Sequence, residues 1–135
     1  DVSLTAYLQD VEKEFRNITK RPAVLIIPGG GYQFCSDREA DPVALAYLKA
    51  GYDAFVLRYS VGKKHKWPEP LEDYEDAMEY IENHAEEWNI FADSVSNKEN
   101  IDYSTYYIND KSSCKHHACK SFCCYVIVVV FLIID

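Results

Sequence analysis

Apolar positions alternate with polar ones in one part of the chain, run continuously in another, and recur every three to four residues in two more. Val2-Ser3-Leu4-Thr5-Ala6-Tyr7-Leu8 alternates for much of its length, the period of an antiparallel edge strand. Ala23-Val24-Leu25-Ile26-Ile27 is a continuous apolar run that stops at Pro28-Gly29-Gly30-Gly31. A short run bounded by turn formers, with three of its five residues β-branched, predicts a strand buried on both faces, as inside a parallel sheet. Ala40, Val43, Ala44, Tyr47 and Leu48 share one helical face, and Gly51 stands where a helix-terminating glycine is expected. Ser36 or Asp37 is the expected cap of this helix, with Glu39 in its first turn. Tyr52–Tyr59 reads as a second strand with an apolar centre. Strand, glycine loop, helix and strand in that order form a βαβ unit with two parallel strands and a right-handed crossover.

A basic, proline-marked loop, Val61–Pro70, precedes a second helix that starts at Pro70 or Leu71. Leu71, Tyr74, Met78, Ile81, Ala85 and Trp88 form its apolar stripe. Its outer face carries Glu72, Asp73, Glu75, Asp76, Glu79, Glu82, Glu86 and Glu87, which reads as a solvated acidic face.

Beyond about residue 90 the pattern ends. Residues 93–113 are rich in Ser, Asn, Asp, Lys and Tyr without periodicity. Cys114-Lys115-His116-His117-Ala118-Cys119-Lys120-Ser121-Phe122-Cys123-Cys124 is dense in metal-capable side chains. Cys114, His116, Cys119 and Cys123 are the candidate ligands for a tetrahedral zinc site, yet their spacing matches no zinc knuckle or ribbon, and no metal is expected. The closing Tyr125–Ile134 run is about half the length of a membrane-spanning helix. Seven of its ten residues are Val or Ile, which favours a buried strand. The expected organisation is therefore 1–90 as a patterned part and 91–135 as an atypical tail, ending in a final strand or without fixed structure.

Composition narrows the function classes. The 135 residues are 48% hydrophobic and 27% charged, which suits one soluble domain with a modest core. A net charge of -8 argues against a nucleic acid partner. Five cysteines, with Cys35 far from the other four, do not read as a disulfide framework. Residue 1 is Asp, so the start reads as a processed end or a fragment edge. No signal peptide opens the chain, and a cytoplasmic location is the expectation.

Two readings of the glycine loop stay open on its residues alone. Three glycines make a tight strand-to-helix turn, or they leave backbone N–H groups open to an anion at the carboxyl end of a strand, where α/β sheets bind ligands. A dinucleotide site fits less well, because Phe34 stands where the third glycine should be and the second strand ends in Arg58-Tyr59. A Walker loop is excluded, since no Gly-Lys-Ser/Thr follows.

Taken together, Pro28-Gly29-Gly30-Gly31-Tyr32, the Ser36-Asp37-Arg38-Glu39-Ala40 helix start, Gly51–Val61 and the Trp67-Pro68-Glu69-Pro70-Leu71-Glu72-Asp73 segment resemble the N-terminal third of an α/β-hydrolase. The resemblance is to acetyl-xylan-esterase-like and lipase/esterase-like carboxylesterases, and it covers about residues 3–90. It implies an incomplete α/β-hydrolase sandwich, with a mostly parallel sheet and flanking helices. It implies a carboxylic-ester hydrolase acting on short acyl or acetyl esters, sugar esters among them, with a small-molecule ester as partner and no cofactor. Gly30 and Gly31 become the oxyanion donors, and Gly29 and Tyr32 flank the substrate. Such donors contribute roughly 3–4 kcal/mol each in the best-studied case.

The rest of the family's chemistry is not visible. No Gly-x-Ser-x-Gly occurs, and no glycine follows Gly62. Ser36, Ser60 and Ser94 are hydroxyls without an evident elbow, and His65 and His84 read as loop and helix-surface residues. The expectation is a truncated or inactive form, in frame through about Ile90 and foreign afterwards. Two alternatives remain: a noncatalytic remnant or binding module, and a Cys/His metal-binding tail. An incomplete sheet exposes edges and invites self-association.

Overall fold

The computed structural model describes residues 1–12, 14, 17–91 and the backbone of 127–131. Ala23–Ile27 forms strand β2 and Asp53–Arg58 forms β3, and the two pair in parallel from Ala23↔Asp53 to Ile26↔Val56. Both faces of this pair are covered. Ala23, Leu25 and Ile27 pack with Phe55 and Leu57 beneath helix α2 (Glu69–His84), which contributes Ala77 and Ile81. Val24 and Ile26 pack with Ala54 and Val56 beneath helix α1 (Asp41–Lys49), which contributes Ala44. Side chains alternate across a strand, so a strand with a helix on each face has no polar side to show. That is why β2 reads as an unbroken apolar run.

The remaining strands make the sheet mixed. Strand β1 (Ser3–Tyr7) lies antiparallel on β3, at the edge its alternation predicts. Strand β4 (Ile127–Phe131) lies antiparallel on the other side of β2, giving the order β1-β3-β2-β4. The α/β arrangement with flanking helices is as expected. The sheet is less parallel than expected: among the described strands only the β2–β3 pair is parallel, because only those two are joined through a covering helix.

Helix α1 starts later than its predicted caps. Asp37–Glu39 forms a 3₁₀ turn, and neither Ser36 there nor Ala40 at α1 makes a side-chain cap. Pro42 sits in the first turn of α1, where its missing N–H costs nothing. The helix ends as Gly51 predicts. Gly51 has φ 96°, its N–H donates to Leu48 O (3.1 Å), and Tyr52 N–H donates to Tyr47 O (3.1 Å). This is the paired closure that a left-handed residue permits. Helix α2 begins one residue before the predicted start.

Past α2 the chain returns to the sheet. Arg21 N–H donates to Asn89 O and Phe91 N–H donates to Arg21 O, both at 2.9 Å, forming a parallel bridge between Arg21 and Ile90. Asp53 N–H donates to Pro22 O on the β3 side. Peptide groups of successive strand residues point to opposite sides, so Arg21 faces the side that β4 occupies. The chain thus enters the space beside β2 running parallel at Ile90–Phe91, and β4 fills the rest of that space running the other way. Among the described residues no helix is long and apolar enough to cross a membrane.

Candidate oxyanion loop

The carboxyl end of β2 runs into the glycine loop. Gly30, Gly31 and Tyr32 take φ of 152°, 61° and 60° in succession. At Gly30 a side chain is excluded, because a Cβ there would lie 1.9 Å from the carbonyl oxygen of Phe34. At Gly31 a Cβ would meet nothing within 4 Å, so only the positive φ favours glycine. Tyr32 adopts the left-handed region without that freedom, a conformation that costs about 1–3 kcal/mol and persists only where surroundings enforce it. One such constraint is visible: Gly62 N–H donates to Tyr32 O at 2.7 Å.

Four further contacts hold the loop. Glu39 Oε2 accepts the Gly29 N–H at 2.9 Å. Ser36 N–H donates to Gly29 O at 2.8 Å, and Gln33 N–H donates to Gly30 O at 3.1 Å. The buried Tyr59 hydroxyl donates to Pro28 O at 2.9 Å. Gly29 therefore has both backbone groups turned to the loop itself. Among the described residues the N–H groups of Gly30 and Gly31 meet no acceptor. Two adjacent unengaged donors at the end of a buried strand can receive a negatively charged oxygen. The Tyr32 ring stands edge-on to Tyr59, with centroids 6.3 Å apart, beside these donors.

Sequence reasoning misses the residues that brace this loop. Glu39 reads as a first-turn acid, whereas its carboxylate caps the loop ten residues upstream. Tyr59 reads as a strand end, whereas its hydroxyl fixes Pro28. Cys35 packs beneath the loop, its thiol donating to Tyr59 O at 3.9 Å, and burial pushes its pKa up. Among the described residues the other predicted candidates do not assemble into a triad. Ser36 and Ser60 are buried, and the backbone N–H of Ser60 donates to Asp73 Oδ2 at 2.7 Å. His65 Nδ1 lies 2.5 Å from Glu69 Oε2, and this pairing holds the Glu69 carboxyl below its ordinary pKa. His84 Nδ1 contacts Tyr80 O at 2.8 Å, and its ring stacks on both Tyr80 and Trp88, which also contact each other. Both described histidines thus bond to groups other than serine. Ser94, Cys114, His116, Cys119 and Cys123 lie outside the described residues. Among those described, no three metal-capable side chains cluster.

At the opposite end of the sheet, Asp53 is fully buried. Its Oδ1 accepts Gln9 N–H at 2.9 Å, and its Oδ2 and the nearby Arg21 Nε have no partner among the described residues. Burial raises its pKa, opposed by the Gln9 bond and by Arg21.

Known proteins share this architecture. An α/β hydrolase from a Medee basin deep-sea metagenome library is 58% identical, with a TM-score of 0.63, over 67% of this chain and 37% of its own. An acetyl ester-xyloside bifunctional hydrolase from Caldicellulosiruptor lactoaceticus is 34% identical, with a TM-score of 0.56, over 65% of this chain and 30% of its own. Endo-1,4-beta-xylanase B of Butyrivibrio fibrisolvens is 35% identical over 91 residues, 65% of this chain and 13% of that protein. The chain thus spans about a third of the solved relatives and a smaller part of the xylanase. The profile of the BD-FAE family matches residues 9–97. With the glycine loop, the βαβ unit and the second helix all inside that match, the chain belongs to the BD-FAE family of α/β-hydrolase-like, esterase-type proteins.

Proposed function

We propose that residues 9–91 form the oxyanion-binding part of a short-chain ester hydrolase site, with acetyl esters of sugars as the substrate class. The supporting observation is the pair of unengaged N–H groups on Gly30 and Gly31. Hydrolysis of an ester places negative charge on the former carbonyl oxygen, and two fixed donors stabilise that charge more than the neutral ester. The name of the Caldicellulosiruptor relative, an acetyl ester-xyloside hydrolase, supports the choice of acetyl sugar esters.

The test is a chimera in which residues 9–91 replace the matching part of the 58%-identical deep-sea hydrolase. Loss of one oxyanion donor lowers kcat about 10²–10³-fold. A folded chimera with kcat within about tenfold of the parent supports the proposal. A folded chimera with kcat lowered at least about a hundredfold at unchanged KM rejects it.

A second reading, a noncatalytic module, is favoured by the direction of β4. A nucleophile elbow follows the carboxyl end of a strand beside the oxyanion loop. The register Ile127↔Ile27 and Phe131↔Ala23 puts the amino end of β4 there and its carboxyl end at the far edge. The isolated chain is then expected to hydrolyse p-nitrophenyl acetate no faster than buffer. Turnover that disappears on replacing a single serine contradicts this second reading.

A further inference from the structure

The charges around the glycine loop are segregated. The loop and 3₁₀ segment, 28–41, holds three acids, and each is engaged. Glu39 accepts the Gly29 N–H, while Asp37 and Asp41 receive the Arg58 guanidinium at 3.2 and 3.3 Å. The neighbouring segment, 59–70, runs into the first residues of α2 and holds one acid, Glu69, paired with His65. Among the described residues the lysine and arginine side chains of the same two segments make no ion pair. Those side chains, Arg38, Lys63, Lys64 and Lys66, are exposed. The lysine loop is anchored where it matters: Gly62 N–H bonds the Tyr32 carbonyl, and His65 N–H closes a turn onto Gly62 O at 3.1 Å. All three lysines therefore lie within four residues of a direct bond to the oxyanion loop. The same two segments expose two large rings, Phe34 at 58% and Trp67 at 63%.

In a chain of net charge -8, the stretch 61–68 is unusual in carrying three lysines and no acid. The negative surplus lies along the outer face of α2, where Glu72, Glu75, Asp76 and Glu79 are exposed. A rim that combines unpaired cations with exposed aromatic faces suits a ligand with carboxylates and apolar ring faces. A sugar carrying uronate groups has both. A nucleic acid fits less well, since the rest of the surface repels a polyanion.

We propose that Lys63, Lys64, Lys66 and Trp67, with Arg38 and Phe34 across the loop, form a subsite for uronate-bearing oligosaccharide next to the oxyanion loop. This rests on the ester-hydrolase proposal above and specifies its alcohol side. The lysines attract and orient the carboxylate, and Trp67 stacks on a sugar face. Exposed point charges act through a screened field, so the preference weakens as salt rises.

The test uses the full chain, with Trp67 fluorescence and calorimetry reading binding at low salt. The probes are glucuronate-substituted xylotetraose, unsubstituted xylotetraose and a short oligothymidylate. The acidic sugar is expected to bind at least about tenfold more tightly than the neutral one, with that preference lost in 0.5 M salt and in the K63S/K64S/K66S variant. All three lysines are exposed, so circular dichroism should be unchanged in that variant. Equal binding of the two sugars, no binding of either, or a preference that survives the triple substitution overturns the proposal. Tighter binding of oligothymidylate than of the acidic sugar also overturns it, by showing a general anion surface. An active chimera together with any of these results removes the uronate subsite and leaves the ester-hydrolase proposal standing.

Discussion

Replacing Gly30 by alanine adds one methyl group and keeps the N–H. Its effect on stability comes from two sources. The positive φ of 152° is one that L-residues rarely adopt, at a cost of about 1–3 kcal/mol. The new Cβ would also sit 1.9 Å from Phe34 O, a backbone atom that no side-chain rotation can move away. Relief requires the 33–36 segment to shift, which strains the Ser36–Gly29 and Gln33–Gly30 bonds, each contributing about 1 kcal/mol. The sum is about 3 kcal/mol or more. Gly31→Ala is the internal control, since it shares a positive φ of 61° but meets nothing within 4 Å. Its cost is about 1 kcal/mol. Urea unfolding followed by circular dichroism separates the two. With a slope of about 2 kcal/mol per molar, Gly31→Ala lowers the midpoint by about 0.5 M and Gly30→Ala by about 1.5 M. Equal midpoints for the two variants would show that the loop does not hold the close approach between residues 30 and 34.

Three other substitutions probe separate parts of the structure. Tyr59→Phe removes the hydroxyl from Pro28 O and leaves a buried carbonyl unpaired; a loss of about 1–2 kcal/mol is expected in the same urea assay, and no loss contradicts the contact. Phe55→Ala opens a cavity at a fully buried position of β3 and should cost about 3–5 kcal/mol, with a much smaller value indicating that this face of the sheet does not pack against α2. Asp53→Asn tests the buried carboxyl. The folded chain holds this proton to higher pH than the unfolded chain, so this group's effect on stability worsens as pH rises above about 4. The variant, which keeps the Oδ1 acceptor for Gln9, should gain stability relative to the parent over that rise; parallel pH profiles would count against a raised Asp53.

The sequence carries the central elements openly because the signals for them are local. The 23–27 run, the 40–48 helical face and Gly51 each reflect one contact pattern with near neighbours. Strand direction is not local in this way. The Val- and Ile-rich run near the end of the chain contains a strand, yet an unbroken apolar run has no polar side and no marker of which way it will pair beside β2. The start of α1 is half legible: Pro42 marks a first turn, while Ser36 and Asp37 compete as caps and serve a 3₁₀ turn instead. Asp53 falls inside the 52–59 strand, yet nothing in a single aspartate announces burial. For the site, glycine identity marks the loop. Which amides stay unengaged depends on Glu39 reaching back to Gly29, a contact that no spacing rule supplies.

Amide hydrogen exchange measured by NMR on the full chain addresses the oxyanion donors themselves. The Gly29 N–H, buried and bonded to Glu39, should be protected from exchange. The Gly30 and Gly31 N–H groups should exchange close to the rate of an unstructured peptide, and Glu39→Gln should reduce protection at Gly29 with little change at the other two. Protection of Gly30 and Gly31 equal to that of Gly29 would mean that both donors are already engaged and that the loop has no N–H to offer an oxyanion.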